Sequence, residues 1–343
     1  MARGWGKSVG WLVLMLGLGA LWGQAHADTL ADIQTRGFVR CGFRPSSGFV
    51  QSDANGRQSG FMVDFCRALA AATIGDANAI RTERLPDKPQ EFQAVENHDV
   101  DVVLQNTTWT FGREASFDID FVQPLFYDGQ AFAVWIKQRP VPPLAQLGPE
   151  TVCVKSSTTS QRNLEDYIRA AKRPWSIRLF RTWDEALHAF LAHECDMLTT
   201  DHSVLQASLA KYRLAGATIH VFPDIISREP LTPYVARGDR HWMNIVRWVI
   251  FATIRAEEKG ITSANIRALN APDGESLRLS GQSPGLGAAL GLRDDWAFNV
   301  IAQVGNYGEI FDRNLGKASP YGMERGLNGL RANGGLMTAP LFQ

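Results

Sequence analysis

The stretch Asn106–Arg113 reads NTTWTFGR and follows the apolar run VDVVLQ. A guanidinium offers a planar fork of donors that fits a carboxylate or phosphate in a bidentate way. Threonines add hydroxyls and, in a turn, backbone N–H groups. Two further polar clusters stand at comparable places: KSSTTSQ (155–161) after TVCV, and TTD (199–201) after CDML. In open α/β sheets, ligands bind outside the carboxyl ends of strands. An arginine fork (Arg113), a helix start (Thr158, Thr159) and an acid (Asp201) facing one another would hold a zwitterion. An α-amino acid is the obvious one. Taken singly, each residue has a plainer use: Arg113 in a surface ion pair, Thr158 and Thr159 as N-caps, Asp201 as a turn or cap residue. Their joint appearance at matching places in two halves of the chain is what favours a site.

The elements that must position these clusters alternate between helix and strand. TLADIQTRG reads as a short helix stopped by Gly37, and FVRCGF as a strand. GFMVDFCRALAAATIG places Phe61, Phe65, Leu69 and Ala72 on one helical face, ended by Gly75. A helix carrying Phe92 and Val95 then leads into a buried strand, Val100 to Leu104. The Pro-rich patch KQRPVPPLAQLGPE separates this from a second strand, helix, helix, strand block at 151–205 that echoes 38–113 in outline. The alternation predicts an α/β fold with largely parallel sheets in two similar lobes. From about Ile226 onward the chain reads as helical, with HWMNIVRWVIFATIRAEEKG as its most apolar helix.

The N-terminus has basic residues Arg3 and Lys7, an apolar run from Val9 to Trp22, and AHA at 25–27. This is the pattern of a cleaved export signal, with cleavage expected after Ala27. Lys and Arg total 35 against 35 acids, and 33 against 35 once the leader is gone, which gives no sign of nucleic acid or an anionic membrane as partner. The four cysteines Cys41, Cys66, Cys153 and Cys195 all lie beyond the leader. In an exported chain they favour disulfides among three possible connectivities. Local order suggests Cys41–Cys66 and Cys153–Cys195, with free buried thiols as the plainer alternative. No C-x-x-C or clustered Cys/His spacing suggests a metal, and no cofactor motif is present.

The chain also resembles the periplasmic solute-binding proteins of polar amino-acid ABC transporters, and among them the general L-amino-acid-binding branch. The segments that carry the resemblance are GFMVDFCRALAAA, VLQNTTWTFGRE, YDGQAF, CVKSSTT, CDMLTTD, IISREPL, RAEEKGIT and VGNYGEIFDRNLG. It implies a type II two-lobed binding-protein fold with the ligand in the interlobe cleft. The first lobe would span 28–136 and 223–343, the latter with a C-terminal helical extension, and the second would be inserted as 137–222. Crossings would fall near AFAVWI and FPDIIS. Arg113 would clamp the α-carboxylate with help from Thr108 and the backbone near Asn106. Thr159, and Thr158 beside it, would donate from the other lobe, and Asp201 would take the ammonium. The protein would act as a monomer in the periplasm, capturing free L-amino acids of broad or polar type and delivering them to a membrane-embedded permease.

Two departures from the family pattern stand out. The loop after the first strand, GFRPSSGF, lacks the aromatic that usually stacks on the ligand. Arg44 stands there instead, either to favour acidic or amide side chains or to point to solvent. Met62 replaces an expected aspartate at a position read as structural. The competing expectation is an exported amino-acid lyase or dehydratase on the same scaffold, since fold alone does not decide. Its candidate groups are poor: His188 and His193 read as surface residues, and Ser156, Ser157 and Ser160 lack a nucleophile–base signature.

Overall fold

The computed structural model describes residues 1–2, 28–270 and 273–343. All but the first two residues of the expected leader therefore lie outside the described residues. No described helix is long and apolar enough to cross a membrane.

Two five-stranded sheets form the cores of two lobes. In the first, the order is Ile80–Arg84, Val39–Phe43, Val102–Val103, Tyr234–Ala236, Ile119–Phe121. In the second it is Ser176–Phe180, Thr151–Lys155, Met197–Asp201, Gln130–Trp135, Ile219–Val221. The first three strands of each order run parallel, and the fourth is antiparallel to both neighbours. In both lobes that antiparallel strand is the first one formed after the chain crosses from the other lobe. Parallel strands joined through helices bring their carboxyl ends to one edge, and the two edges face each other.

The crossings are a pair of short antiparallel strands, Phe126–Asp128 and Glu229–Leu231, in the register Asp128 to Glu229 and Phe126 to Leu231. This corrects the boundaries expected at 136/137 and 222/223. Gln130–Trp135 is hydrogen-bonded along its length to Met197–Asp201, so it belongs to the second lobe. The return strand likewise begins only after Phe222 and Ile226 have bonded back to Phe132 and Gln130. Nor is the chain helical from Ile226. The strands Glu229–Leu231 and Tyr234–Ala236 precede the helix Arg240–Glu258.

The first lobe is built around the helix Phe61–Thr73, buried at every position but Arg67. Its Ala-rich sequence lets the sheet and the helices Trp296–Gln303 and Arg240–Glu258 approach closely. Gly60 precedes it at φ 130°, and a Cβ there would meet the Phe49 carbonyl oxygen at 2.4 Å, so only glycine fits. The chain beyond Glu258 wraps this lobe and reaches the first hinge strand. Phe126 stacks on Phe311 at 6.2 Å, the Tyr307 hydroxyl donates to the Leu125 carbonyl, and the Asn328 side-chain amide bonds both the N–H (2.6 Å) and C=O (2.9 Å) of Tyr127. Asn328 thus pairs the outer edge of the hinge strand as a neighbouring strand would. Arg325 holds the Asn328 carbonyl and pairs with Glu257 at 3.0 Å.

The cysteines are joined as Cys41–Cys66 and Cys153–Cys195, with Cα separations of 6.3 and 5.8 Å. Each bond ties the second strand of its lobe's sheet order to an adjoining element. Loop closure of this size stabilises by about 3–4 kcal/mol in chain-entropy accounts.

Candidate functional site

The facing sheet edges enclose a cleft whose wall includes Arg44, Asn106, Thr108, Arg113, Thr158, Thr159 and Asp201, so all seven residues singled out in the sequence come together. Arg113 follows Thr110, which caps the helix Phe111–Ser116. Its Nη1 donates to the Thr108 carbonyl at 2.6 Å, which fixes the fork. Arg113 has no carboxylate partner among the described residues, although burial depresses its pKa. A desolvated guanidinium without a counter-ion is a receptor for an anion.

Asp201 ends the strand Met197–Asp201 and stands at the N-cap of the helix His202–Leu214, yet its side chain makes no capping bond. It is 6% exposed and accepts no hydrogen bond from a described residue. Burial, then the negative charges of Asp128 and Glu229, push its carboxyl well above the usual range, while Arg113 and Lys88 pull it down. A cation placed against it would restore the ionised form. Asp201 and Arg113 therefore form two complementary vacancies of charge, one from each lobe.

The two acids below Asp201 belong to the hinge. Glu229 accepts from Thr108 in the first lobe, and from Asn163 (2.7 Å) on the helix Thr159–Ala170 and Ser227 (2.8 Å). Asp128 accepts from the Gly129 N–H and from Ser203, and burial pushes it up to about 6. These contacts show how two of the expected ligand residues are already engaged. The Thr108 hydroxyl is spent on Glu229, so only its backbone N–H is left for an anion. Thr158 is the N-cap of the helix Thr159–Ala170: its hydroxyl accepts from Gln161 and donates to the Lys155 carbonyl at 2.8 Å. Thr159 follows at the first helical position, where the backbone N–H has no partner within the helix.

Arg44 lines the cleft instead of pointing to solvent. Its Nη1 lies 3.2 Å from Glu91, a carboxylate with 0% exposure, but neither Nη1 nor Glu91 Oε1 completes a hydrogen bond. The other oxygen of Glu91 takes Lys88 (2.6 Å) and the Tyr234 hydroxyl (3.2 Å). Lys88 also donates to Thr107, and burial pulls its pKa down to about 7. Asn106 accepts from Gln105 at 2.5 Å, and Gln105 in turn accepts from the Arg44 N–H at 3.0 Å.

Sequence reasoning missed Lys88, Lys155 and Trp183, all in the cleft wall. Trp183 adds an aromatic ring to the cleft wall from the second lobe. Its position was findable: it opens a helix behind the capping box Thr182–Glu185, just beyond the carboxyl end of the strand Ser176–Phe180. Lys155 lay inside the polar run 155–161 without a role.

A two-lobed α/β protein with a charged interlobe cleft is the architecture of a solute receptor, and the chain belongs to the bacterial extracellular solute-binding proteins, family 3, over residues 39–259. That family binds solutes for transport and is not a family of enzymes. The chain is 40% identical to the general L-amino acid-binding periplasmic protein AapJ of Rhizobium johnstonii, over 97% of each chain. It is 40% identical to the glutamate/glutamine/aspartate/asparagine-binding protein BztA of Rhodobacter capsulatus, over 94% of this chain and 95% of the other. A periplasmic binding protein of an ABC transporter from Brucella ovis, solved with glutathione bound, superposes with a TM-score of 0.87 at 38% identity, covering 93% of this chain and 100% of that one.

Proposed function

We propose that this protein captures free L-amino acids in the periplasm, once its leader is removed behind Ala27, and hands them as a monomer to an ABC permease. One observation carries the reading: Arg113 and Asp201, from opposite lobes, face one cleft and neither has an ion-pair partner among the described residues. An α-carboxylate on the Arg113 fork and an α-ammonium on Asp201 would fill both vacancies at once. The lobes would then close on the ligand, replacing its water with fixed partners. The names of AapJ and BztA agree with such a ligand. Glutathione, seen in the Brucella ovis protein, also presents an unmodified α-amino-acid end on its γ-glutamyl residue.

The test is calorimetric titration of the ligand-stripped protein with the free L-amino acids and their carboxyl-amidated forms. Binding of free acids, lost on amidation, supports the clamp. Equal binding of both forms would remove Arg113 from its role. No binding of any amino acid would reject the ligand class.

A further inference from the structure

Asp201 stands where a helix normally closes on its own start. An aspartate at the N-cap accepts from the backbone N–H of the second or third helical residue, here Ser203 or Val204. Asp201 has the non-helical backbone of a cap, at φ −50° and ψ 136°, yet its carboxyl makes no such bond. The donors at the start of the helix His202–Leu214 are served from elsewhere. The His202 N–H donates to the Gly129 carbonyl at 2.8 Å. The Ser203 N–H donates to Asp128, with 3.4 Å to each carboxylate oxygen, and the Ser203 hydroxyl donates to the same carboxylate. Two of the N–H groups that a helix start leaves without partners are thus held by two consecutive residues of the first crossing. The segment reaches them because Gln130 pairs with Asp201 in the sheet of the second lobe. Glycine at 129 allows the approach, since a Cβ there would meet Ile225 at 2.2 Å.

We propose that Asp128 is a positioning residue for ligand capture: it caps the helix His202–Leu214 in place of Asp201, and so leaves the Asp201 carboxyl to the cleft. This rests on the reading of Asp201 as the partner of the ligand's ammonium. A carboxyl turned back onto Ser203 or Val204 would be spent on its own helix, as the Thr158 hydroxyl is on Gln161. With Asp128 on the Ser203 donors, that alternative is closed. Asp128 also acts on Asp201 in the opposite sense. After burial, its charge is the strongest of the influences that push the Asp201 carboxyl up, ahead of Glu229. The cap favours binding of an ammonium and the charge opposes it. An uncharged acceptor at position 128 would keep the first effect and remove the second, which makes the two separable.

The experiment is a double-mutant cycle read by calorimetry on the ligand-stripped protein, with the free L-amino acid that the parent binds most tightly. Asp128→Ala is expected to lower affinity by about tenfold or more, the worth of the charge-assisted hydrogen bond that Asp201 would no longer give. Asp128→Asn, whose amide oxygen can still accept from Ser203, is expected to rescue most of that loss. In an Asp201→Asn background, Asp128→Ala is expected to cost nothing further, because its effect runs through Asp201. A thermal melt of each variant separates loss of fold from loss of binding. Ser203→Ala, which removes only the hydroxyl donor, reads the same coupling if Asp128→Ala does not fold, with an expected loss of about threefold that vanishes in the Asp201→Asn background. Losses that add in the double variant, or Asp128→Asn as weak as Asp128→Ala, overturn the positioning role and leave the clamp standing. Parental affinity in Asp128→Ala does the same. Parental affinity in Asp201→Asn, or a parent that binds no free amino acid, rejects the clamp and this role with it.

Discussion

The two lobes share a strand order and a direction pattern, and each has a disulfide cysteine at the third position of the second strand in that order, Cys41 and Cys153. They differ in how they arm the cleft. The first lobe presents cations braced from beneath: Arg113 on the Thr108 carbonyl, Lys88 on Glu91 and Thr107, and the loop of Arg44 on Gln105. The second presents the ends of two helices, with Thr159 opening one and the uncapped Asp201 preceding the other. The lesson is that neither lobe holds a complete zwitterion site. In the proposed clamp the carboxylate half and the ammonium half sit on separate lobes, so a bound amino acid would itself be the cross-link between them. Affinity depends on both halves at once and is not their sum.

The most severe way to break the comparison is to disarm the first lobe. Arg113→Ala is expected to lower amino-acid affinity by at least about a hundredfold, since it removes two charge-assisted hydrogen bonds. Arg113→Lys should recover only part of this, because an ammonium cannot reproduce the fork. Titration calorimetry on both variants decides it. Parental affinity in Arg113→Ala would move the carboxylate site elsewhere.

Disarming the second lobe should cost binding but not stability. Asp201→Asn keeps the shape and removes a carboxylate whose ionisation is opposed by burial. Affinity is expected to fall by roughly tenfold to a hundredfold, with an unchanged or higher melting temperature, because the amide replaces a buried carboxyl whose ionised form has no partner in the ligand-free protein. A large drop in melting temperature would make Asp201 a structural residue.

A smaller effect sharpens the contrast through pH. Lys88, with burial and the neighbouring Arg44 and Arg113 opposing its charge and Glu91 favouring it, titrates at about 7. Below that value it is protonated and would attract a carboxylate on the ligand's side chain; above it that attraction would fade. The preference for glutamate over glutamine should therefore grow as pH falls from 8 to 6. Protonation of Asp201 weakens the hold on the ammonium of both ligands alike, so the ratio isolates the cationic wall. A ratio that is flat over this range removes Lys88 from the effect.

The smallest expected change lies outside the cleft. Asn328→Ala deletes two hydrogen bonds to Tyr127 in a buried setting. A loss of about 1–3 kcal/mol in stability is expected, from two backbone groups left unpaired. Amide exchange should become faster at Tyr127. Unchanged protection there would show that the extension does not hold the hinge.

The polar clusters were legible in the sequence because each follows an apolar strand, and strand carboxyl ends are where α/β folds expose function. Arg113 and Asp201 stood out by type and place. Lys88 and Glu229 did not, because their meaning lies in contacts across the chain. Lys88 reads as an ordinary first-turn residue until Thr107 and Glu91 are seen around it, and Glu229 gains its role only from Thr108 and Asn163. The first crossing was misplaced for a similar reason. QAFAVW is an apolar strand in either lobe, and only its pairing with MLTTD assigns it to the second. Thr108 illustrates the converse, a hydroxyl available in the sequence and already engaged in the fold.

The attachment of the C-terminal extension gives the molecule a mechanical asymmetry. Phe126 and Tyr127 are locked to the first lobe by Phe311 and Asn328, so that lobe and its tail act as a stator. The next few bonds, at Asp128–Gln130, lead directly into the first strand of the second lobe. There Gly129 lies so close to the returning strand that a Cβ would stand 2.8 Å from the Ser227 carbonyl oxygen. The crossing is thus short and crowded, and the C-terminal extension grips the end of it that belongs to the first lobe.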